Sequence, residues 1–143
     1  MSGTDPTDAA AQTALAAEHA AIYAYGVCGG VLDAGTAGAL MAREAFAVHQ
    51  QRREGLESLL RDHGLDPVPA ASGYALPRPV TGQTSAARLA QGVEERCGAV
   101  YAALVAASSG STRRSAIGWL SDAATRGLDW GASATAFPGL VSP

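Results

Sequence analysis

A chain of 143 residues, 48% apolar but only 6% aromatic and with a net charge of -3, is long enough to bury one core and too short for two. All ten basic residues are arginine, and only Arg52-Arg53 and Arg113-Arg114 adjoin, so there is no basic patch for a nucleic acid. No apolar run approaches the roughly twenty residues that span a bilayer, and the polar stretch Met1 to Thr7 shows neither a secretory nor a twin-arginine signal, so the cytoplasm is the expected compartment.

Asp5-Pro6 opens the first helix, with an N-cap candidate, proline at the first helical position and Asp8 in the first turn. Asp33-Ala34-Gly35 ends it, which predicts a helix over residues 6–33. Thr36 caps a second helix over 36–63, closed by Gly64. Thr84 or Ser85 starts a third over 85–108, and Ser111 or Thr112 starts a fourth over 112–134, before Phe137-Pro138-Gly139 closes the chain.

The connections carry the topology. Helices 1 and 2, and helices 3 and 4, are joined by a few residues each, which makes two antiparallel hairpins. Between helices 2 and 3 lie residues 64–84, with Pro67, Pro69, Pro77 and Pro79 and with Tyr74, Leu76 and Val80 interleaved. At about 3.1 Å per residue, the twenty residues from Gly64 to Gln83 cover roughly 60 Å, whereas a helix of about 26 residues is about 39 Å long. The segment is therefore expected to pack along the bundle from end to end. Short, long, short connections predict an all-α fold, an antiparallel four-helix bundle with one long crossover between helices 2 and 3.

Placing residues about 100° apart gives each helix a buried face. Helix 1 presents Leu15, Ile22, Gly26 and Gly29, with Glu18 and His19 on its flanks. Helix 2 presents Met41, Ala45, Leu56, Leu59 and Leu60, with His49 near the centre and Arg52 and Arg53 beside it. Helix 3 presents Leu89, Val93, Cys97, Val100 and Leu104, with Glu94 and Tyr101 along one edge. Helix 4 presents Ile117, Leu120, Ala124 and Gly127, with Asp122 and Asp129 facing away. The glycines of helix 1 suggest close helix packing or a kink. Cys28 and Cys97 are too few for a disulfide framework and are expected as buried thiols, and His63 suits the end of helix 2.

The interior is thus apolar except at mid-height, where Glu18, His49 and Glu94 converge, with Arg52, Arg53 or Arg96 in reach. A buried carboxylate costs several kcal/mol unless it is paired, so three readings stay open. The cluster is a charge-paired network, a site for at most a single iron, manganese or zinc ion with His19 as a further ligand, or a small-molecule pocket lined by Tyr25, Tyr101 and Trp119 or Trp130.

The strings Glu18-His19-Ala20-Ala21-Ile22-Tyr23-Ala24-Tyr25-Gly26, His49-Gln50-Gln51-Arg52-Arg53 and Tyr74-Ala75-Leu76-Pro77-Arg78-Pro79-Val80, with Glu94-Glu95-Arg96-Cys97, resemble the actinobacterial ferritin-like family of unassigned function. That resemblance covers nearly the whole chain and implies a ferritin-like bundle. The wider superfamily implies a di-iron or di-manganese centre built from one Glu on each of two helices and Glu-x-x-His on each of the other two. Here Glu18 and Glu94 match, but Glu44 is followed by Ala47 where the histidine belongs, and helix 4 has neither glutamate nor histidine. The expectation is a bundle with a degenerate metal site and no cofactor, more a binding or structural module than an enzyme. The rival is a metal-dependent oxidoreductase or metal-storage protein using a reduced site. A homodimer is expected through an apolar patch at Trp119, Trp130 and Phe137, with no nucleic-acid or membrane partner and with the ligand left open.

Overall fold

Four helices account for most of the chain: α1 (Pro6–Val31), α2 (Ala37–Asp62), α3 (Gln83–Ala107) and α4 (Gly110–Asp129). The structure, a computed structural model, describes residues 5–140, so most of the Met1 to Thr7 stretch read for a signal lies outside the described residues. No strand occurs among the described residues, and no described helix is long and apolar enough to cross a membrane.

The helix ends follow from local chemistry. Asp5 caps α1 by accepting from the Thr7 N–H at 2.7 Å, and Thr36 caps α2 by accepting from the Ala39 N–H at 3.2 Å. Gly64 closes α2 at φ +74, with the Gly64 N–H donating to Arg61 O and the Leu65 N–H to Leu60 O, both at 2.9 Å. The same pattern closes α4 at Gly131, φ +92, through Gly131 to Leu128 at 2.8 Å and Ala132 to Gly127 at 2.9 Å. The expected end near Ala134 is therefore too late: Gly131 was the stop signal, and three helix-compatible residues beyond it hid the fact. Helices α3 and α4 also start two residues earlier than expected, and Ser85 lies inside α3, where its Oγ accepts from the Thr81 and Gly82 N–H groups.

Helix α1 packs on α2 and α3, and α3 packs on α4. Contacts at the ends give the directions. Thr7 Oγ1 donates to Ala107 O at 2.8 Å and Cys28 Sγ to Ala86 O at 3.6 Å, so α1 and α3 are antiparallel. Asp8 at the start of α1 meets His63 at the end of α2 at 2.6 Å. The Gln91 side chain near the start of α3 meets Trp130 O just past α4.

The crossover runs end to end, as expected. Gln12 near the start of α1 bonds Asp66 O at 2.7 Å and the Val68 N–H at 2.8 Å, and His19 Nε2 bonds Val68 O at 2.9 Å. Further along, the Tyr74 ring lies 5.5 Å from that of Tyr23, and Leu76 and Val80 pack on the core. The segment finishes beside the start of α2, where a Cβ on Gly38 would meet Gln83 Oε1 at 2.7 Å.

The buried residues of α1 include Ala11, Ala14, Glu18, Ala21, Tyr25 and Cys28, and those of α2 include Gly38, Ala42, Ala45, His49, Arg52 and Leu56. Steps of three and four alternate along both helices, which is the seam of coiled-coil packing with a period of about 3.5. A 3.6 period drifts by about 20° per heptad against that seam, and this explains the misplaced residues. Gly26, Gly29 and Gly30 are exposed rather than at a close helix contact. On α4 the buried positions are Ala116, Ala123 and Gly127, while Ile117 is 49% exposed.

Candidate functional site

The seams of α1, α2 and α3 deliver Glu18, His49 and Glu94 to one height of the bundle, each at most 2% exposed. His49 Nδ1 lies 2.6 Å from Glu18 Oε2, and Nε2 lies 3.3 Å from Glu94 Oε1. A neutral imidazole has one bare nitrogen, which would face a carboxylate lone pair. Only the imidazolium donates at both ends, so this geometry selects charged His49.

Two tyrosines complete the carboxylates. Tyr25 Oη donates to Glu94 Oε1 at 2.5 Å, and Tyr101 Oη donates to Glu18 Oε1. Arg52 extends the chain, donating through Nη1 to Tyr101 Oη at 3.2 Å and through Nη2 to Asp122 on α4. Arg126 Nε donates to the same Asp122 oxygen at 2.8 Å. The carboxylates of Glu18, Glu94 and Asp122 thus face His49, Arg52 and Arg126, three against three, and the charges cancel. All four helices contribute. Glu94 Oε2 is a buried polar atom without a partner.

The electrostatics agree with this assignment. Burial alone pulls the His49 imidazole down, but hydrogen bonds to Glu18 and Glu94 and their charges outweigh it and hold His49 above its ordinary value. Burial, then the charge of Glu94, pushes Tyr25 far up, and burial, then Cys97 and Glu18, does the same for Tyr101, so both remain donors. Both cysteines are free and buried, as expected. Burial raises the Cys28 thiol to about 11 and drives Cys97 well up, which leaves neither activated as a nucleophile.

Of the supporting residues read from sequence, Tyr25, Tyr101 and Arg52 belong to the site. His19 does not: it bonds the crossover at Val68 O. Arg53 is also outside, a partly exposed side chain 3.5 Å from Glu54, because the seam steps from His49 to Arg52 and leaves the next position on the flank. Arg96 is exposed on α3. Asp122 was expected on the far face and instead closes the network, because the α4 seam runs through Ala123 and leaves Asp122 at the rim facing α2. Trp130 and Trp119 pack against Tyr25 and Tyr101, with ring centroids 6.3 and 5.7 Å apart. Trp130 is only 5% exposed, so it cannot form part of a surface patch.

A dinuclear metal centre needs about six protein ligands, and these residues do not supply them. Glu44 and Ala47 both face outward, and on α4 the position of Gly127, where a Cβ would lie 3.9 Å from Glu94 Cβ, carries no side chain to ligate. Both nitrogens of His49 are already held by carboxylates. In the arrangement seen, no three His, Cys, Asp or Glu side chains among the described residues are grouped as metal ligands.

The chain is similar to a crystal structure described as a conserved hypothetical protein, rv2844, from Mycobacterium tuberculosis. The two share 32% identity over 90% of this chain and 97% of that one, with a TM-score of 0.83. No curated protein matches the chain. A family model described as a domain of unknown function (DUF4439) matches residues 10–142. Spanning all four helices and the crossover, that match shows that the chain belongs to the DUF4439 family.

Proposed function

We propose that this protein is a ferritin-like bundle in which an ion-pair network replaces the dinuclear centre, and that it serves as a non-catalytic binding or structural module. The observation that carries this reading is His49, with a carboxylate on each ring nitrogen. The polar layer then fixes the relative height of the helices, since sliding any one of them would strand a buried charge. The topology, two hairpins joined by an end-to-end crossover, supports the ferritin-like assignment.

Self-association as a homodimer is part of the proposal. Leu40, Ile117, Leu128, Phe137 and Leu140 are each 48% or more exposed, and so much apolar surface favours a partner copy. Light scattering should give twice the 14.4 kDa chain mass, and a monomer over a wide concentration range would contradict it.

One observation favours a second reading. The orphan Glu94 Oε2 is a free ligand atom, and a single iron, manganese or zinc ion held by Glu18, Glu94 and His49 would satisfy it. That requires His49 to shed a proton and turn one nitrogen from its carboxylate. Elemental analysis of protein purified without added metal separates the two. Trace metal well below one ion per chain supports the network, and one ion per chain supports a metal-dependent oxidoreductase or storage role.

A further inference from the structure

Two adjoining hollows line the crossover. One, of about 740 Å³, lies between residues 77–82 and the first turns of α3, and includes Arg78, Val80 and Arg88. The other, of about 390 Å³, lies between Tyr23 on α1, Tyr74 and Leu76 on the crossover, and Arg96 on α3. Pro77 and Leu89 border both, so they form one groove. Each volume falls within the range of small-molecule sites.

The charge distribution in this groove runs against the composition. The chain has 13 acidic residues and a net charge of -3, yet no Asp or Glu lines either hollow. Arg52, Arg53, Arg61 and Arg126 all have carboxylate partners. By contrast, Arg78, Arg88 and Arg96 form no ion pair among the described residues, and all three are exposed. The amino end of α3 adds its dipole to the same field. Between the arginines the walls are apolar: Val80, Leu76 and Leu89 are anchored in the core, and the Tyr23 and Tyr74 rings pack together. The crossover that forms the outer wall is pinned to α1 at Val68, and its groove-lining part is seated by Leu76 and Val80 on the core and by Tyr74 on Tyr23.

We propose that this groove binds an anionic amphiphile, a carboxylate- or phosphate-headed molecule with an apolar body, whose head group pairs with Arg78 and Arg88 and whose tail lies along Leu89, Leu76 and the tyrosine pair towards Arg96. Guanidinium groups recognise such heads through two parallel hydrogen bonds, and the apolar wall distinguishes an amphiphile from a free anion. The inference takes up the binding half of the function proposed above at a separate place in the fold, so its failure leaves the mid-bundle network untouched.

The test is an NMR titration of backbone amides with decyl phosphate below its micelle concentration, with inorganic phosphate and decanol as separate arms. Decyl phosphate should shift amides of residues 77–89 and 20–24 and bind at least about tenfold tighter than either half-molecule. The R78Q/R88Q double variant, altered only at exposed positions, should lose about tenfold in affinity, and R114Q on α4 should lose none. Equal binding of decanol would overturn the proposal, as would equal binding of inorganic phosphate. Shifts centred elsewhere, or an undiminished affinity in R78Q/R88Q, would overturn it too.

Discussion

Arg52 on α2 donates to the carboxylate of Asp122 on α4, and this contact carries the buried charge network out to the protein's edge. Arg52 is 5% exposed, while the Asp122 side chain is 36% exposed. Removing Asp122 leaves a buried guanidinium with only Tyr101 to receive it. Asp122→Ala should cost about 1–2 kcal/mol in urea unfolding, less than a fully buried pair because solvent screens the carboxylate. Burial works against the charge on Asp122, but Arg126 and Arg52 overcome it and hold its carboxyl below 3.8. The contribution is therefore present above about pH 4 and fades as the pH falls through the lowered value. Acid unfolding of the wild type should show that loss, and D122A should lack it.

Gly139 tests the closing segment. Its φ is +81, and a Cβ there would lie 2.4 Å from Gly98 O and 2.9 Å from Ala102 Cβ, so the chain seats directly on α3. Gly139→Ala combines a left-handed penalty with a backbone clash and should undock the segment, lowering stability by roughly 2–3 kcal/mol. Gly64→Ala is the control, with φ +74 and open space around the position. It should cost only about 1 kcal/mol. Thermal melts should rank the two in that order, and limited proteolysis should cut G139A near its C-terminal end.

His49 sets an alkaline limit. Its folded value lies above the unfolded 6.5, so the protonated form carries the stabilisation. That contribution is complete below about pH 6.5, declines as the pH rises towards the folded value, and is lost above it. Urea midpoints between pH 5 and 9 should fall on the alkaline side for the wild type. The His49→Gln variant should be less stable at pH 6 and should show a flatter profile.

Much of this was legible in the sequence. Pro6, Thr36 and Gly64 are strong local signals, and the proline-rich length of 64–84 left little choice but a crossover. His49 stood out as a polar residue near the centre of an apolar stripe, and Glu18 and Glu94 as charged residues at the edges of theirs. Asp122 did not, because it sits beside the seam rather than on it, and its partner Arg52 lies on a different helix. Nor could sequence order the two arginines after His49. A 3.6 period favours Arg53, the observed 3.5 seam favours Arg52, and the difference arises only when helices pack. The groove was hidden for the same reason, since Arg78 comes to line the same groove as Arg88 and Arg96 only after the crossover has docked.

The most direct measurement is a thermal melt of the wild type, Glu18→Ala and Glu94→Ala, each with and without chelator and added iron, manganese or zinc. If the mid-bundle cluster is a charge-paired network, removing either glutamate strands His49 and costs on the order of 3 kcal/mol, and chelator changes none of the three curves. A bound metal would instead stabilise the wild type by mass action. A wild-type protein that loses several degrees in chelator, while Glu18→Ala does not respond, would contradict the network.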